Sequence, residues 1–364
     1  MRIAFYGSSL LSAYWNGAAT YYRGILSALA ELGCDITFYE PDAFDRQKHR
    51  DIEPPDWARV KVYPADPGSL RDVVGEAARA DVVVKASGVG IFDNELLHGL
   101  AAAARPDAVR IFWDVDAPAT LAEIATDPMH PLRAVLPDLD LVLTYGGGPP
   151  VVRRYLELGA CRCVPIYNAL DPRTHFPAAP DPRFVGDLGF LGNRLPDRER
   201  RVEVFFLESA RQVSDGRFVL GGAGWDSKRL PDNVRAVGHV YTHQHNAFNA
   251  SSLAVLNIAR ESMAEVGHSP ATRIFEAAGA AACLITDCWT GIERFLQPDT
   301  EILVARDAAD VIAHLQELTP ERARAVGRSA RARILAEHTY FHRAADVHRL
   351  LSESLLAKRG RSAA

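Results

Sequence analysis

Short apolar segments alternate with segments of helical periodicity along nearly the whole chain. RIAFYG (2–7), CDITFYE (34–40) and DVVVKAS (81–87) have the length and composition of strands, and helical patterns such as 18–32 lie between them. This alternation predicts parallel sheets that carry helices on both faces. The sequence therefore predicts an α/β fold, in which ligands bind beyond the carboxyl ends of the strands.

A proline-rich break divides this alternation into two halves. The segment 163–184 carries five prolines and little periodicity, so we place a domain boundary near 172–184. We expect a first domain over 1–172, a second over 185–337, and a terminal helix over 338–364 that crosses back onto the first domain. A chain of 364 residues has the usual length for two domains. The prediction is two facing Rossmann-type domains with a ligand cleft between them.

Composition excludes several classes of partner. The formal net charge is −5, which argues against nonspecific nucleic-acid binding, because such binding needs a basic surface. The chain opens on a predicted strand without a signal-peptide pattern, and no apolar run approaches the ~18 residues of a membrane span. Five cysteines form an odd, sparse set that is typical of reduced thiols. We therefore expect a globular cytoplasmic protein, and the sequence does not specify its oligomeric state.

The stretch HSPATRIFEAAGAAACLITD (268–287) predicts a helix followed by a buried strand. Ser269 is a favourable N-cap residue, and Pro270 suits the first helical position, where its missing N–H costs nothing. Small residues follow, so this helix can pack closely on a sheet. The next strand is predicted at CLIT (283–286).

The start of this helix is a candidate phosphate site. Its free amides and its dipole attract anions, and Arg273 in the first turn adds a full positive charge. Glu276 lies four residues after Thr272 on the same helix face, where its carboxylate can accept hydrogen bonds from the hydroxyls of a ribose. The alternative is a capped core helix with a surface pair of Arg273 and Glu276.

Two further motifs follow predicted strands. FVLGGAGW places Gly222 and Gly224 in what resembles part of a nucleotide loop, but the absence of a complete G-x-G-x-x-G argues against a nicotinamide oxidoreductase. Asp114 and Asp116 form a D-x-D motif, which in one enzyme class holds a divalent ion on a nucleotide diphosphate. Equally, one carboxylate can act as a general base while the other caps the next helix.

The pair His243-x-His245 has too few ligands to predict a metal. Structural and catalytic zinc sites need at least three protein ligands, and the sequence indicates no third one for this pair. We therefore expect both histidines to be polar loop residues and no metal to be bound.

At residues 187–307 the order of motifs resembles a known family. The segments GFLGNRLPDRE, FVLGGAGW, NVRAVGHVYTHQHN, the run from LAVLNIA to LITD, and GIERFLQPDTEILVA are similar to the spore-maturation-protein-like (CgeB-like) glycosyltransferases. These enzymes belong to the GT-B group and have a family-four-like C-terminal domain. The similarity covers about a third of the chain. It implies a GT-B fold, a nucleotide-diphosphate sugar held by the second domain, an acceptor held by the first, and no essential metal or other cofactor.

The resemblance also implies roles for individual residues. Glu276 matches the glutamate that holds the donor ribose, and Arg194 matches a basic residue that offsets phosphate charge. The loop 237–240, which contains His239, is implied beside the base. The matches to the diphosphate-binding helix start are Ser269, Thr272 and Arg273. One departure is His268, which stands where many family-four enzymes have a second glutamate that contacts the sugar. We therefore count His268 among the candidate catalytic residues.

From these observations we predict a metal-independent glycosyltransferase. Asp116 is the predicted acceptor-side base, with Asp114 as its substitute. Tyr14, Trp15 and the segment 41–58 are predicted to shape the acceptor pocket. The alternatives are a nucleotide-sugar epimerase of the same fold and a non-catalytic protein that binds a sugar nucleotide or a glycan. The sugar, the base, the acceptor and the stereochemical course are not specified by the sequence.

Overall fold

A computed structural model describes residues 1–14 and 16–362 of the chain. Trp15, which the sequence assigns to the acceptor pocket, lies outside the described residues. The fold divides into two compact units. The first contains Met1–Tyr167 and the C-terminal segment from Tyr340, and the second contains Asn168–Thr339. Among the described helices, none is long and apolar enough to cross a membrane.

The first unit is built on a parallel sheet of seven strands. They are β1 (Arg2–Tyr6), β2 (Asp35–Asp42), β3 (Arg59–Pro64), β4 (Val82–Ala86), β5 (Val109–Asp114), β6 (Leu141–Thr144) and β7 (Cys163–Pro165). Their spatial order is β3-β2-β1-β4-β5-β6-β7, and every neighbouring pair is parallel. The helices between them are α1 (Ala18–Glu31), α2 (Pro67–Gly75), α3 (Asp93–Ala103), α4 (Ala117–Thr126), α5 (Pro131–Val135) and α6 (Gly148–Glu157).

Burial on both faces of the sheet explains why its central strands read as continuous apolar runs. All five residues of β4 are buried, as expected for a parallel sheet covered by helices on each side. On one face, the Phe5 ring stacks on Phe38 at 5.2 Å and lies 5.9 Å from the Trp113 ring. Each such side chain contributes roughly 1.5–3 kcal/mol through its burial.

The second unit repeats this plan with six parallel strands. They are β8 (Gly186–Leu191), β9 (Phe218–Gly221), β10 (Val234–Gly238), β11 (Ser252–Asn257), β12 (Leu284–Asp287) and β13 (Leu303–Ala305). Their spatial order is β10-β9-β8-β11-β12-β13. The helices are α7 (Pro196–Val202), α8 (Glu208–Gln212), α9 (His245–Ser251), α10 (Glu261–Val266), α11 (Thr272–Gly279), α12 (Ala308–Glu317) and α13 (Pro320–Glu337).

The last helix, α14 (Tyr340–Ser362), packs within the first unit. Gly24 allows α1 and α14 to approach closely, because a Cβ at that position would lie 2.2 Å from the Tyr340 ring. The Tyr21 ring, also on α1, meets the Tyr340 ring edge-on at 6.0 Å. A helix from the end of the chain thus completes the core of the unit that the beginning of the chain forms.

The border between the units lies earlier than the proline-rich break suggests. It falls after Tyr167, so the segment that follows belongs to the second unit. Two hydrogen bonds hold this segment there. The Asn168 side-chain amide donates to the Pro270 carbonyl at 3.2 Å, and the Leu170 N–H donates to the His338 carbonyl at 2.9 Å. Proline content marked the absence of regular structure in this segment, but its hydrogen bonds determine which unit it joins.

The predicted start of α11 is wrong by two residues. The helix begins at Thr272 and its N-cap is Ala271, whereas Ser269 was predicted as the cap and Pro270 as the first helical residue. Gly267 and His268 both have positive φ angles, and the His268 N–H donates to the Thr290 carbonyl at 2.7 Å. This docking leaves Ala271 extended. The hydroxyl of Ser269 donates to the Gly267 carbonyl at 3.0 Å and does not cap the helix.

Candidate functional site

The loops that follow β8 and β9 pack directly on each other. Gly222 has a φ of +123°, and a Cβ there would lie 2.2 Å from the Gly192 carbonyl oxygen. Gly224 has a φ of +87°, and its Cβ would lie 3.2 Å from the Arg194 Cβ. Both positions need glycine because the φ is positive and the neighbouring backbone is close. These two glycines therefore fix the loop that contains Gly192, and their contact with a nucleotide stays a prediction.

Two arginine side chains converge beside this loop. The guanidinium groups of Arg198 in α7 and Arg273 in α11 lie over the Phe190 ring, 5.7 and 5.4 Å from its centroid. A Cβ on Gly192 would lie 2.9 Å from a terminal nitrogen of Arg198 and 3.0 Å from one of Arg273. Glycine at 192 therefore leaves room for two positive charges at the carboxyl end of β8, which is the edge where parallel sheets bind their ligands.

These two arginines differ from the arginines around them. The neighbours have carboxylate partners: Arg194 pairs with Glu199 at 2.8 Å, Arg201 with Asp287 at 2.7 Å, and Arg260 with Asp197. Within residues 1–14 and 16–362, no carboxylate oxygen lies within ion-pair distance of Arg198 or Arg273. Their partners are neutral oxygens instead, the Asn193 carbonyl for Arg198 and the Asn257 side chain for Arg273.

Burial lowers the pKa of both guanidinium groups. Burial, and then the positive charge of Arg273, lower the pKa of Arg198 to about 9. Burial also lowers the pKa of Arg273, while the negative charges of Glu276 and Asp287 act to raise it. A buried charge is costly unless an opposite charge accompanies it. The pair is thus prepared to bind an anion.

The first turn of α11 adds further donors to the same place. The amides at Thr272 and Arg273 have no acceptor within the helix, because a helix leaves its first amides unpaired. Glu276 follows one turn later and is partly exposed, with 17% of its side-chain surface accessible. The structure therefore brings Thr272, Arg273 and Glu276 together as the sequence predicts. Ser269 is buried, and its hydroxyl donates to the Gly267 carbonyl and not to a ligand site.

His268 occupies a strained position next to this helix. Its φ is +48°, a left-handed conformation that non-glycine residues rarely adopt. Gly291 makes room for its ring, because a Cβ there would lie 2.2 Å from the His268 Nδ1. Such strain persists only where the surroundings enforce it and is frequent at binding sites. The predicted catalytic role of His268 stays a prediction.

His239, predicted beside the base, lies at the end of β10. The residue is exposed, and its ring meets the Tyr241 ring edge-on at 4.7 Å. It lines a surface cavity of about 280 Å³ together with Arg235 and Gln244. His239 therefore lies in an exposed loop, and its predicted contact with a base stays a prediction.

The D-x-D motif of the first unit contains one structural carboxylate. Asp114 is fully buried, and it accepts hydrogen bonds from the hydroxyls of Ser87, Thr120 and Tyr155. Burial raises the pKa of the Asp114 carboxyl group. Asp116 is only partly buried and is the N-cap residue of α4, although its side chain makes no capping bond. Of the two, Asp116 is therefore the better placed to reach a ligand.

The other predicted acceptor residues lie near the same end of the first unit. The Tyr14 ring is exposed and stacks on the His49 ring at 4.0 Å. His49 ends a short 3₁₀ turn, Arg46–His49, within the polar segment 41–58. The two predicted acceptor loops are thus in contact through this ring pair.

Two features of the site escaped the sequence analysis. Arg198 was passed over because it lies inside the charged helical segment LPDRERR, where an arginine is normally solvated. His175 was also missed, and it lies 3.8 Å from Glu276 and is only 3% exposed. One weak indication in the sequence connects Arg198 with the site. It lies in the first turn of a helix that follows a strand and a glycine, Gly192.

Part of the chain, mostly in the second unit, matches a known family model. Residues 198–349 match the model of a family described as Glycosyl transferase-like. This region contains both Arg198 and Arg273, as well as Glu276. No sequence among the curated proteins matches the chain.

Several solved structures share the whole fold. Sucrose-phosphate synthase from Thermosynechococcus elongatus superposes with a TM-score of 0.72 at 14% identity, covering 98% of this chain and all of the other. HepE of Anabaena in complex with UDP-glucose gives 0.68 at 13% identity, covering 97% and 100%. An alpha-glucosyltransferase in complex with UDP and a 13-mer DNA gives 0.69 at 9% identity, covering 97% and 99%.

These findings confirm the predicted α/β architecture of two Rossmann-like domains. They also support the prediction of a glycosyltransferase, whereas the CgeB-like subfamily finds no support in them. The chain has the GT-B glycosyltransferase fold, and its residues 198–349 match the Glycosyl transferase-like family.

Proposed function

We propose that this protein transfers a sugar from a uridine-diphosphate donor to the hydroxyl of an acceptor. The acceptor oxygen attacks the anomeric carbon of the donor, and the bond between that carbon and the diphosphate oxygen breaks. The bonding electrons leave on UDP, and the hydroxyl proton passes to a base. The choice of uridine is supported by two of the structural neighbours, whose complexes contain UDP or UDP-glucose.

One observation carries this proposal: two partly buried arginines converge on one ring, and neither has a carboxylate within ion-pair distance among the described residues. Arg198 and Arg273 lie at the carboxyl end of β8, beside the first amides of α11. A diphosphate would supply the missing negative charge and accept hydrogen bonds from both guanidinium groups. The same charges stabilise the leaving UDP as the sugar bond breaks, and they need no reorganisation to do so.

The partly exposed carboxylate of Glu276 supports recognition of a nucleoside. It lies one turn after the helix start that would hold the diphosphate. A carboxylate at that distance can accept hydrogen bonds from both ribose hydroxyls. His239 is the proposed neighbour of the base, and His268 the proposed neighbour of the sugar.

Transfer is proposed to proceed without a metal on the diphosphate. The positive charges of Arg198 and Arg273 can perform the task that a divalent ion performs in metal-dependent enzymes. The D-x-D motif is a poor alternative, because the oxygens of Asp114 already accept three side-chain hydroxyl hydrogen bonds. Asp116 is the proposed base for the acceptor proton, and the acceptor is proposed to bind the first unit.

The acceptor class and the compartment are proposed on weaker grounds. One neighbour is in complex with DNA, but the net charge of −5 argues against a nucleic-acid acceptor here. A hydroxyl of a glycan, a protein or a small molecule is the proposed acceptor. All five cysteines are free thiols, which agrees with a reducing cytoplasm as the proposed compartment.

Calorimetry and product analysis together test the proposal. UDP is titrated into the full chain with a chelator present, and we expect binding that the Arg273→Ala variant loses. Arg306→Ala is the matched control, since Arg306 is an exposed arginine of the same unit that pairs with Asp310.

UDP-sugars are then incubated with the protein and the products are analysed by mass spectrometry. Released UDP indicates transfer or hydrolysis, whereas a rearranged donor of unchanged mass would indicate an epimerase. Binding without any turnover of a donor panel would indicate a non-catalytic protein.

A further inference from the structure

Three ligand atoms from distant parts of the second unit converge around Glu276. His175 comes from the segment before β8 and His245 from the start of α9. One nitrogen of each histidine and a carboxylate oxygen of Glu276 all lie within 4.8 Å of one another. The His175 Nε2 is 3.8 Å from the Glu276 oxygen, and the two imidazole centroids are 6.0 Å apart.

The hydrogen bonds around His175 determine which of its nitrogens carries the proton. The Thr174 hydroxyl donates to the Asp171 carbonyl at 3.1 Å, so its oxygen is left to accept from the His175 Nδ1 at 2.9 Å. The proton of the neutral ring is therefore on Nδ1, and Nε2 carries a lone pair. This Nε2 is buried and has no hydrogen-bond partner in the described part of the chain.

A backbone hydrogen bond also indicates which nitrogen of His245 carries the proton. Its Nε2 lies 3.3 Å from the Val240 carbonyl, to which only a protonated nitrogen can donate. Its Nδ1 therefore carries the lone pair, and that atom is also buried without a partner among the described residues. Each ring thus has one nitrogen held by a hydrogen bond and one buried nitrogen without a hydrogen-bond partner among the described residues.

Lone pairs and a carboxylate that face one another repel unless a cation lies between them. Neutral imidazoles whose second nitrogen is hydrogen-bonded are the usual ligands of zinc, and two histidines with one carboxylate are a common ligand set.

We propose that His175 Nε2, His245 Nδ1 and the carboxylate of Glu276 bind a divalent transition metal, with Zn²⁺ as the best match. A tetrahedral ion with bonds of about 2.0–2.1 Å needs ligand atoms about 3.4 Å apart, so the three side chains must move closer together on binding, and a fourth position stays open for water or a ligand. The site goes beyond the proposed function, because it uses a carboxylate that the donor ribose would otherwise engage. Metal binding would therefore withdraw Glu276 from the nucleotide and does not serve the diphosphate.

Metal titration of the full chain tests this site without any nucleotide. After chelator treatment and removal of the chelator, Zn²⁺ is titrated by calorimetry, and Co²⁺ is titrated in parallel by visible spectroscopy. We expect one equivalent of metal per chain and the intense Co²⁺ bands of a four-coordinate site. His245→Ala and Glu276→Gln are each expected to weaken Zn²⁺ binding by at least about 10-fold.

His243→Ala is the matched control. His243 lies two residues from His245 but is exposed and stacks on the Tyr241 ring at 5.9 Å, so its loss should leave the affinity for Zn²⁺ unchanged. Thermal unfolding without metal shows which variants are folded, and only folded variants are compared. Unchanged Zn²⁺ affinity in both His245→Ala and Glu276→Gln overturns the site, as does a loss confined to His243→Ala. UDP binding, measured separately with chelator present, tests the proposed function independently of this result.

Discussion

Arg198 and Arg273 place their guanidinium groups over one phenylalanine ring, and neither has a carboxylate partner in the described part of the chain. Like charges this close raise the free energy of the unliganded protein, because each disfavours the other's charged form. An anion bound between them removes that cost and gains two charge-assisted hydrogen bonds. The arrangement is therefore more favourable with a ligand than without one.

Removing either arginine of this pair should weaken UDP binding strongly. Hydrogen bonds to charged groups contribute about 1.5–3 kcal/mol each, so Arg198→Ala and Arg273→Ala are each expected to raise the Kd by about 10- to 100-fold. Because the two side chains act on one ligand, the double variant should depart from additivity. Calorimetry of the two single variants and the double variant measures this coupling. Wild-type affinity in both single variants would remove the diphosphate assignment.

Glu276 should discriminate between ribose and deoxyribose. If its carboxylate accepts a hydrogen bond from the 2′-hydroxyl, the wild-type protein should bind 2′-deoxy-UDP about 10-fold more weakly than UDP. In Glu276→Gln the preference for UDP should largely disappear, while binding of inorganic pyrophosphate stays unchanged. Competition titrations with chelator present give all three affinities. An undiminished preference in the variant would show that another residue holds the ribose.

Gly222 should be intolerant of any side chain. Gly222→Ala adds a Cβ 2.2 Å from the Gly192 carbonyl oxygen and also forces alanine into a positive φ. Gly238→Ala is the matched control, because Gly238 has a φ of +67° but has no atom within 4 Å of its Cβ position. We expect Gly238→Ala to cost about 1–2 kcal/mol of unfolding free energy and Gly222→Ala to cost about 1–3 kcal/mol more. Denaturant unfolding measures both, and equal losses would show that the close approach is unimportant.

Much of the fold was predictable because strand and helix patterns are local. The predicted helix 18–32 corresponds to α1, and the predicted strand 81–87 contains β4. The start of α11 was not predictable from Ser269 and Pro270, because contacts with Thr290, such as the hydrogen bond from the His268 N–H to its carbonyl, hold the preceding residues in non-helical conformations. Those contacts join residues far apart in sequence, so no local pattern reports them.

The candidate site was predictable only where its residues share one helix. Arg273 and Glu276 were found because both lie on α11 at helical spacing. Arg194 was preferred to Arg198, and the structure shows that Arg194 already has Glu199 as a partner. Which arginine lacks a partner depends on tertiary packing, and a sequence motif carries no information about it.

Asp114 should prove structural in a stability measurement that follows pH. Burial raises the pKa of its carboxyl group, so the folded protein binds a proton more tightly than the unfolded chain, and this residue's contribution to stability falls as pH rises through its folded pKa. Asp114→Asn loses part of the hydrogen bonding to Ser87, Thr120 and Tyr155 and should cost about 1–3 kcal/mol. The loss should be largest at acidic pH, where the wild-type carboxyl is neutral. It should be smaller at neutral pH, because there the wild type carries a destabilising buried charge that the asparagine variant lacks. Denaturant unfolding across this range measures it, and a loss that grows with pH would contradict the assignment.

Asp116→Asn should separate catalysis from donor binding. If Asp116 takes the acceptor proton, its amide variant should lower kcat by about 10²- to 10⁴-fold, which is the usual contribution of a general base. The affinity for UDP should stay at the wild-type value, because the proposed donor residues all belong to the second unit, whereas Asp116 belongs to the first. Steady-state rates with a donor that the protein turns over, together with UDP titrations of both proteins, provide the test. A wild-type kcat in the variant would show that another group accepts the proton, whereas a loss of UDP affinity would show that Asp116 contributes to the donor site.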